Sequence, residues 1–169
     1  MDIRKAKMED IDQALQLVDA AKGYFKANDI NQWQDGYPNK ESLMHDIEQE
    51  KGFVLCDENH VIGYCYGAYE HEANYDYIEN GQWLTKSEQY FVIHRVVISD
   101  VYKGRGLAAM FINYFIDICH KEHIHSIRMD THDDNLSMQR FLAKNGFKQC
   151  GRIYLANGDP RIGYEFVLD

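Results

Sequence analysis

Two glycines and two basic residues alternate in the segment Lys103-Gly104-Arg105-Gly106. This segment follows a run rich in β-branched residues, 91–98, and precedes apolar residues at helical spacing that begin at Leu107. In a strand, loop and helix of this order, glycines let the backbone approach a ligand closely, and the helix N-terminus adds partial positive charge. The segment therefore predicts a binding site for the phosphates of a cofactor.

The spacing of the glycines excludes one familiar phosphate-binding motif and leaves another open. No Lys-Ser or Lys-Thr pair follows them, so the loop does not match a P-loop. Gly104, Gly106 and Ala109 do match the G-x-G-x-x-A pattern of dinucleotide-binding folds, and Asp130 follows where such folds place a ribose-binding acid. A nucleotide-dependent oxidoreductase is therefore one hypothesis. Against it, the remaining strands and short helix are too few for a doubly wound fold.

The composition is that of one folded domain, residues 1–169, with 45% hydrophobic and 27% charged residues. The net charge of −9 weighs against a nucleic-acid binder, which needs a basic face. The charged N-terminal residues lack the apolar core of a signal peptide, and no apolar run approaches about 18 residues. We therefore expect a cytoplasmic protein without nucleic-acid or membrane partners, and with free thiols at its four cysteines.

Hydrophobic patterning predicts a mixed order of helices and strands around the loop. Residues 70–90 carry many aromatic and acidic side chains with weak periodicity, and a loop of this length is usually functional or mobile. The predicted elements are a strand at Ile3, a helix to about Lys26, a short helix after Asn39, a hairpin over 53–66, the strand 91–98, the helix from Leu107, a strand over 126–130, a helix over 135–145, and strands over 147–155 and 161–168.

Three features together resemble the GCN5-related N-acetyltransferase (GNAT) superfamily. Its motif Q/R-x-x-G-x-G/A is matched by Val101 to Gly106, with Val101 in place of the usual Gln or Arg. Its second signature is matched by Asn135, which opens the next helix, and by Gly146-Phe147, which close it. The order of elements agrees from end to end. The resemblance implies an α/β fold with a mixed, mostly antiparallel sheet of six to seven strands and about four helices, in which strands four and five splay apart.

Three further segments resemble an uncharacterised bacterial group within this superfamily. They are Asn31-Gln32-Trp33, Ile93-His94-Arg95, and Asp130-Thr131-His132 followed by Asn135.

The resemblance implies transfer of an acetyl group from acetyl-CoA to an amine. A backbone N–H near Val97 would hold the developing oxyanion, and Asn135 would contact the pantetheine arm or serve only as a helix N-cap. The remaining predicted cofactor contacts are the backbone of Lys103, Gly104, Arg105, Gly106, Leu107 and Ala108 for the diphosphate, and that of Val96, Val97 and Ile98 for the pantetheine arm.

The attacking amine must be neutral, yet a free alkylamine has a pKa near 10. His94 is the first candidate for the base, because it lies early on the fourth strand, on the face of Val96 and Ile98 if the strand alternates regularly. Glu79, in the preceding loop, and His132, after the fifth strand, are the other candidates. The alternative interpretation is that His94 is a hydrogen-bonded structural residue and that Glu79 and His132 are ordinary loop residues.

The usual general acid of the superfamily is missing. Many relatives carry a Tyr in the fourth helix, four residues before its closing Gly, where this chain has Leu142. Tyr154 or solvent could replace it. This departure, with Val101, motivates a second hypothesis, a non-catalytic acyl-CoA-binding or regulatory module. Dimers are frequent among relatives, which makes a homodimer possible.

Two groups of residues resemble metal ligands. The histidines at 120, 123 and 125 lie at a predicted helix end, and the acids after Asp130 lie in a turn before a capped helix, so we predict no metal site.

The loops 28–38 and 70–90 combine aromatic and acidic residues, which would suit a small amine as the acceptor.

Overall fold

A computed structural model describes the whole chain, Met1–Asp169. It contains seven strands and four helices, with single turns of 3₁₀ helix at Met8–Asp10, Ala73–Tyr75 and Asp100–Tyr102. The regular elements are β1 (Asp2–Lys5), α1 (Ile11–Ala27), α2 (Lys40–Glu48), β2 (Gly52–Asp57), β3 (His60–Glu70), β4 (Tyr90–Ile98), α3 (Leu107–Lys121), β5 (Ser126–Thr131), α4 (Leu136–Lys144), β6 (Lys148–Tyr154) and β7 (Pro160–Val167).

The strands form one seven-stranded sheet in the order β1-β2-β3-β4-β5-β7-β6. The pair β4–β5 is parallel, with Phe91 opposite Ile127 and Val92 opposite Arg128. The pairs β1–β2, β2–β3, β5–β7 and β6–β7 are antiparallel. This mixed, mostly antiparallel sheet with four helices confirms the predicted fold class. It also shows that the dinucleotide-fold hypothesis is wrong, because a doubly wound fold requires a largely parallel sheet.

The chain divides into two compact units. The first unit comprises Met1–Gly67 and His94–Phe115, and the second comprises Ala68–Ile93 and Ile116–Asp169. The single domain over 1–169 stays a prediction.

The core of the first unit lies under α1 and α2. In α1 the buried residues Ile11, Ala14 and Val18 recur at spacings of three and four, which places them on one helical face. Asn39 begins α2 as its N-cap, because its side chain accepts a hydrogen bond from the Ser42 N–H at 2.9 Å. These helices pack with residues of β2 and β3 in a cluster that includes Val54, Val61 and Tyr64.

Part of α3 packs in the same unit through its aromatic face. The Phe115 ring lies 5.1 Å from the Phe53 ring, nearly perpendicular to it. A Cβ on Gly67 would lie 2.5 Å from the Phe115 ring, so β3 needs glycine where the helix crosses it. This close contact fixes the part of α3 up to Phe115, and therefore the loop that leads into it, in the first unit.

Within the second unit, polar and aromatic contacts hold the segment 70–90 against the sheet. Trp83 donates its indole N–H to the Tyr75 backbone oxygen at 2.8 Å, and Tyr75, Tyr90 and Ile153 form a buried cluster. The carboxylate of Glu165 on β7 accepts hydrogen bonds from the Leu84 N–H at 2.5 Å and from both the N–H and the hydroxyl of Thr85. The segment that lacked periodicity in the sequence is therefore held by specific polar and aromatic contacts.

Candidate functional site

The loop before α3 has the backbone of an anion-binding turn. Gly104 and Gly106 adopt φ angles of +79° and +71°, the left-handed region that favours glycine. Nothing lies within 4 Å of a Cβ built on either residue, so backbone conformation rather than crowding requires glycine here. The loop is exposed, and α3 begins directly after it at Leu107. The first-turn N–H groups of a helix have no intrahelical partner, so this end of α3 can donate to an anion.

The two basic side chains of the loop lie against aromatic rings. The Lys103 ammonium is 4.7 Å from the centre of the Tyr24 ring and 2.7 Å from the Asp100 carboxylate. The Arg105 guanidinium lies 5.1 Å from the centre of the Tyr102 ring. The ion pair of Lys103 is exposed and therefore weak, so a phosphate could compete for this ammonium at little cost.

The strand β4 contains a conformational irregularity that the sequence did not predict. Arg95, in the middle of the strand, has a φ of +57°, which is uncommon for a residue with a side chain. Such a residue interrupts the alternation of side chains along a strand. The shared face of His94 with Val96 and Ile98 therefore no longer follows from spacing alone. Of the predicted pantetheine contacts, Val97 is buried in the core of the first unit, and its neighbours are half-buried.

His94 lies close to a buried carboxylate in the first unit. Its ring is half-buried, with its centre 5.5 Å from that of the Tyr66 ring. Burial raises the pKa of Asp46, while the charges of Arg95 and His94 and a hydrogen bond from Tyr64 act against that rise. The Tyr64 hydroxyl donates to the Asp46 carboxylate at 2.7 Å. Asp46 therefore lies within electrostatic range of His94.

Arg95 completes this group of residues. Its guanidinium lies 3.5 Å from the Asp46 carboxylate and donates to the Tyr37 hydroxyl, and it is 5.1 Å from the centre of the Tyr37 ring. Sequence reasoning did not predict that Asp46 and Tyr64 lie beside His94 and Arg95. The sequence feature that could have indicated Asp46 is an acidic residue on the buried face of α2, between Leu43 and Ile47.

The second unit holds the other base candidates and Asn135. Asn135 is the N-cap of α4, since its side-chain oxygen accepts from the Met138 N–H at 3.2 Å. His132 Nδ1 accepts from the Asp134 N–H at 3.0 Å, so a neutral His132 carries its proton on Nε2. The catalytic role of His132 and the cofactor contact of Asn135 stay predictions.

Glu79 is held by two phenols. Its carboxylate accepts hydrogen bonds from the hydroxyl of Tyr77, at 2.7 Å, and from that of Tyr154. Hydrogen bonds from Tyr154 and Tyr77 lower the pKa of Glu79. A lowered pKa makes a carboxylate a weaker base, so Glu79 is less suited to removing a proton than an ordinary glutamate. Its catalytic role stays a prediction.

The residue at the position where many relatives carry their general acid lies in the core. Leu142 is fully buried, so this site on α4 offers no proton donor. The hydrogen bond to Glu79 raises the pKa of Tyr154, the suggested substitute, which makes it a poorer donor.

No group of three or more His, Cys, Asp and Glu side chains has an arrangement that could hold a metal ion. All four cysteines are buried and free. None of the helices combines the length and the apolar character that crossing a membrane requires.

Known proteins share both the sequence pattern and the fold. The acetyltransferase (GNAT) family matches residues 15–147. A GNAT-family acetyltransferase from Streptococcus agalactiae 2603 is 31% identical, with a TM-score of 0.89 over 99% of this chain and 95% of that one. A protein from Staphylococcus aureus Mu50 assigned as an acetyltransferase is 30% identical, with a TM-score of 0.76 over the whole of both chains.

A more distant structure, the NatC complex bound to Gag peptide and CoA, is 16% identical, with a TM-score of 0.70 over the whole of both chains. At that identity the likeness concerns the fold alone. No curated protein matches the chain. On the family match and the two bacterial structures, this chain belongs to the acetyltransferase (GNAT) family.

Proposed function

We propose that this protein transfers the acetyl group of acetyl-CoA to the amine of a small molecule or peptide by direct attack. The observation that carries the proposal is the exposed loop from Lys103 to Gly106, which combines two left-handed glycines, two cations and a helix N-terminus. In a protein with a net charge of −9, this local positive character would favour an anionic ligand at the loop.

The residues of the loop fit a diphosphate. Nothing lies within 4 Å of the positions that a Cβ would take on Gly104 and Gly106, so phosphate oxygens could approach the backbone from that side. The amides of Lys103 to Ala108 would donate to these oxygens, and Arg105 would add a charge-assisted hydrogen bond. Bound acetyl-CoA would supply an activated acetyl thioester. The NatC structure bound to CoA supports this assignment, since its fold is similar.

His94 is the proposed base. It would accept the proton of the attacking amine, and the nearby Asp46 carboxylate would stabilise the imidazolium that results. The backbone N–H near Val97 would donate to the oxygen on which negative charge develops, and the backbone of Val96 to Ile98 and the side chain of Asn135 would hold the pantetheine arm. Because Leu142 supplies no acid, solvent would protonate the leaving thiolate.

A second candidate function is acyl-CoA binding without catalysis. The buried Leu142 favours it, because a frequent proton donor of the family is absent from this helix. This candidate predicts binding of CoA without any acceptor-dependent thiol release.

The test is thiol release from acetyl-CoA with a panel of amines, performed on the unmodified protein and on two glycine variants. Gly104→Ala forces a side chain into the left-handed region at the loop and should weaken CoA binding at least about tenfold. Gly158→Ala is the matched control, because Gly158 has a similar φ of +90° and equally open surroundings in a turn of the second unit. Acceptor-dependent release that Gly104→Ala reduces and Gly158→Ala preserves would support the proposal. Binding of CoA with no release for any amine would support the second candidate instead.

A further inference from the structure

The backbone of β4 bends at a residue whose type does not favour the bend. Arg95 has a φ of +57°, in the left-handed region that residues with a side chain adopt uncommonly. Its Nε–H is also buried without a hydrogen-bond acceptor. Both features cost free energy. A backbone conformation of this kind persists only where the surrounding contacts hold it, and such conformations cluster at functional sites.

Several contacts within the first unit hold the Arg95 side chain, which is 11% exposed. Its guanidinium lies 5.1 Å from the centre of the Tyr37 ring and 5.3 Å from that of the Tyr66 ring. It donates a hydrogen bond to the Tyr37 hydroxyl. Its charge is paired with Asp46, whose carboxylate lies 3.5 Å from Nη1. The position of this carboxylate therefore bears directly on the conformation of Arg95.

Asp46 is itself held in place. It lies on the buried face of α2, and its side chain is only 2% exposed. The fully buried Tyr64 donates its hydroxyl to the Asp46 carboxylate at 2.7 Å. That hydroxyl packs closely on β2, since a Cβ on Gly52 would lie 2.9 Å from it. The ion pair thus joins the bend in β4 to a side chain that α2 and β3 hold from within the core.

The residues on either side of the bend are those assigned to the reaction. His94 precedes Arg95, and Val96 and Val97 follow it. The Tyr66 ring, which contacts the Arg95 guanidinium, also lies 5.5 Å from the centre of the His94 ring. A change of φ at one residue rotates the chain before it relative to the chain after it. Reacting groups must be held to within about 0.5 Å, so a relaxed bend would misplace them.

We propose that Asp46 is a positioning residue for acetyl transfer, which holds the bend in β4 through its ion pair with Arg95. The bend in turn sets the direction of the His94 ring relative to the amide near Val97. This inference rests on the proposed function, which assigns these two groups to the reaction. It is distinct from the effect of the Asp46 charge on the imidazolium, because it acts through the conformation of the backbone.

The test is whether Arg95→Gly rescues the loss of the Asp46 charge. Asp46→Asn keeps the shape of the side chain but removes the ion pair, so the bend should relax and kcat should fall by about a hundredfold. Glycine adopts left-handed angles without a side chain that must be held. The double variant Asp46→Asn/Arg95→Gly should therefore recover at least about tenfold of the lost kcat. A double variant no faster than Asp46→Asn would overturn the positioning role and assign the loss to the charge of Asp46 alone.

The ion pair between Arg4 and Asp10 supplies a matched control. It also joins a buried aspartate of the first unit to an arginine on a strand, with 2.8 Å between the charged groups. The strand β1, however, has no left-handed residue at Arg4. Asp10→Asn should therefore lower the melting temperature but leave kcat within about twofold. An equal fall in kcat for Asp10→Asn and Asp46→Asn would overturn the proposal, because lost stability would then explain both.

The conformation of the backbone is measured separately from turnover. In protein labelled with ¹³C at arginine, the Cα and Cβ resonances of Arg95 report its φ. They should move to values typical of an extended strand in Asp46→Asn and stay in place in Asp10→Asn. A bend that persists in Asp46→Asn would overturn the proposal and leave the proposed function intact. A bend that Asp46→Asn relaxes, in a protein that acetylates no amine, would support the hold of Asp46 on β4 and contradict acetyl transfer.

Discussion

The buried ion pair between Glu165 and Arg128 offers the sharpest prediction about stability. Glu165 is fully buried and Arg128 is 3% exposed, and the Arg128 Nε donates to the carboxylate at 3.0 Å. The same carboxylate accepts from the Ser126 hydroxyl at 2.5 Å and from the Thr85 hydroxyl at 2.6 Å. Glu165→Ala removes all of these acceptors and leaves a buried cation without its counter-ion.

The expected loss of stability follows from the cost of that uncompensated charge. Removing one partner of a buried ion pair costs about 3–5 kcal/mol, and most domains are stable by only about 5–15 kcal/mol. At about 2–4 °C per kcal/mol for a chain of this size, the melting temperature should fall by about 6–20 °C. Glu165→Gln keeps the shape and one acceptor, so its effect should be smaller than that of Glu165→Ala.

The loss of stability caused by Glu165→Ala should become smaller as the pH falls. Burial alone would raise the pKa of Glu165, but hydrogen bonds from Ser126, Thr85 and Arg128 outweigh burial and lower it. A carboxyl whose folded pKa lies below its unfolded value, about 4.3, stabilises the fold fully above that value and loses its contribution as pH falls through the folded pKa. The difference between the unmodified protein and Glu165→Ala should therefore be constant near neutral pH and shrink in acid.

The assay is urea unfolding followed by circular dichroism at several pH values. Glu122→Ala is the control, because Glu122 is an exposed acid of the same unit and its loss should change stability by less than about 0.5 kcal/mol. If Glu165→Ala matched this control, the reasoning that the network fastens residues 70–90 to the sheet would be refuted.

Two further variants test other parts of the account. Gly81→Ala should destabilise the protein by more than about 2 kcal/mol, because its new Cβ would clash with the Cys150 carbonyl oxygen. The control Gly158→Ala should cost only the strain of its left-handed φ. Equal melting temperatures for the two variants would contradict the close contact between Gly81 and β6. His94→Gln should lower kcat by roughly 10²–10⁴-fold while the affinity for CoA stays the same, and a kcat within twofold of the unmodified protein would remove His94 as the base.

The sequence predicted the elements that have a strong local signal. Alternating and helical apolar spacings located the helices and strands, and the glycine pair at 104 and 106 marked a turn that does adopt left-handed angles. Asn135 was predicted as a possible N-cap and is one. These features succeed because each depends on a few neighbouring residues.

The features that sequence reasoning missed depend on contacts between distant parts of the chain. The group around Asp46 joins residues of α2, β3 and β4, and the Glu165 network joins residues about eighty positions apart. Local periodicity carries no information on such pairings. The left-handed backbone conformation of Arg95 could not be predicted either, because nothing in its residue type favours that conformation. The segment 70–90 lacked periodicity since its order comes from tyrosine, tryptophan and carboxylate contacts rather than from a repeating apolar face.

The central claim is that the backbone amides of the loop before α3 bind the diphosphate of CoA. The direct measurement is an NMR titration of protein labelled with ¹⁵N only at its 12 glycines. We expect the amide resonances of Gly104 and Gly106 to shift saturably on addition of CoA, and to stay unchanged on addition of pantetheine, which lacks the phosphates. Gly158, which has a similar backbone conformation in a turn of the second unit, should not respond to either compound. Saturable binding of CoA that leaves the resonances of Gly104 and Gly106 in place would contradict the account.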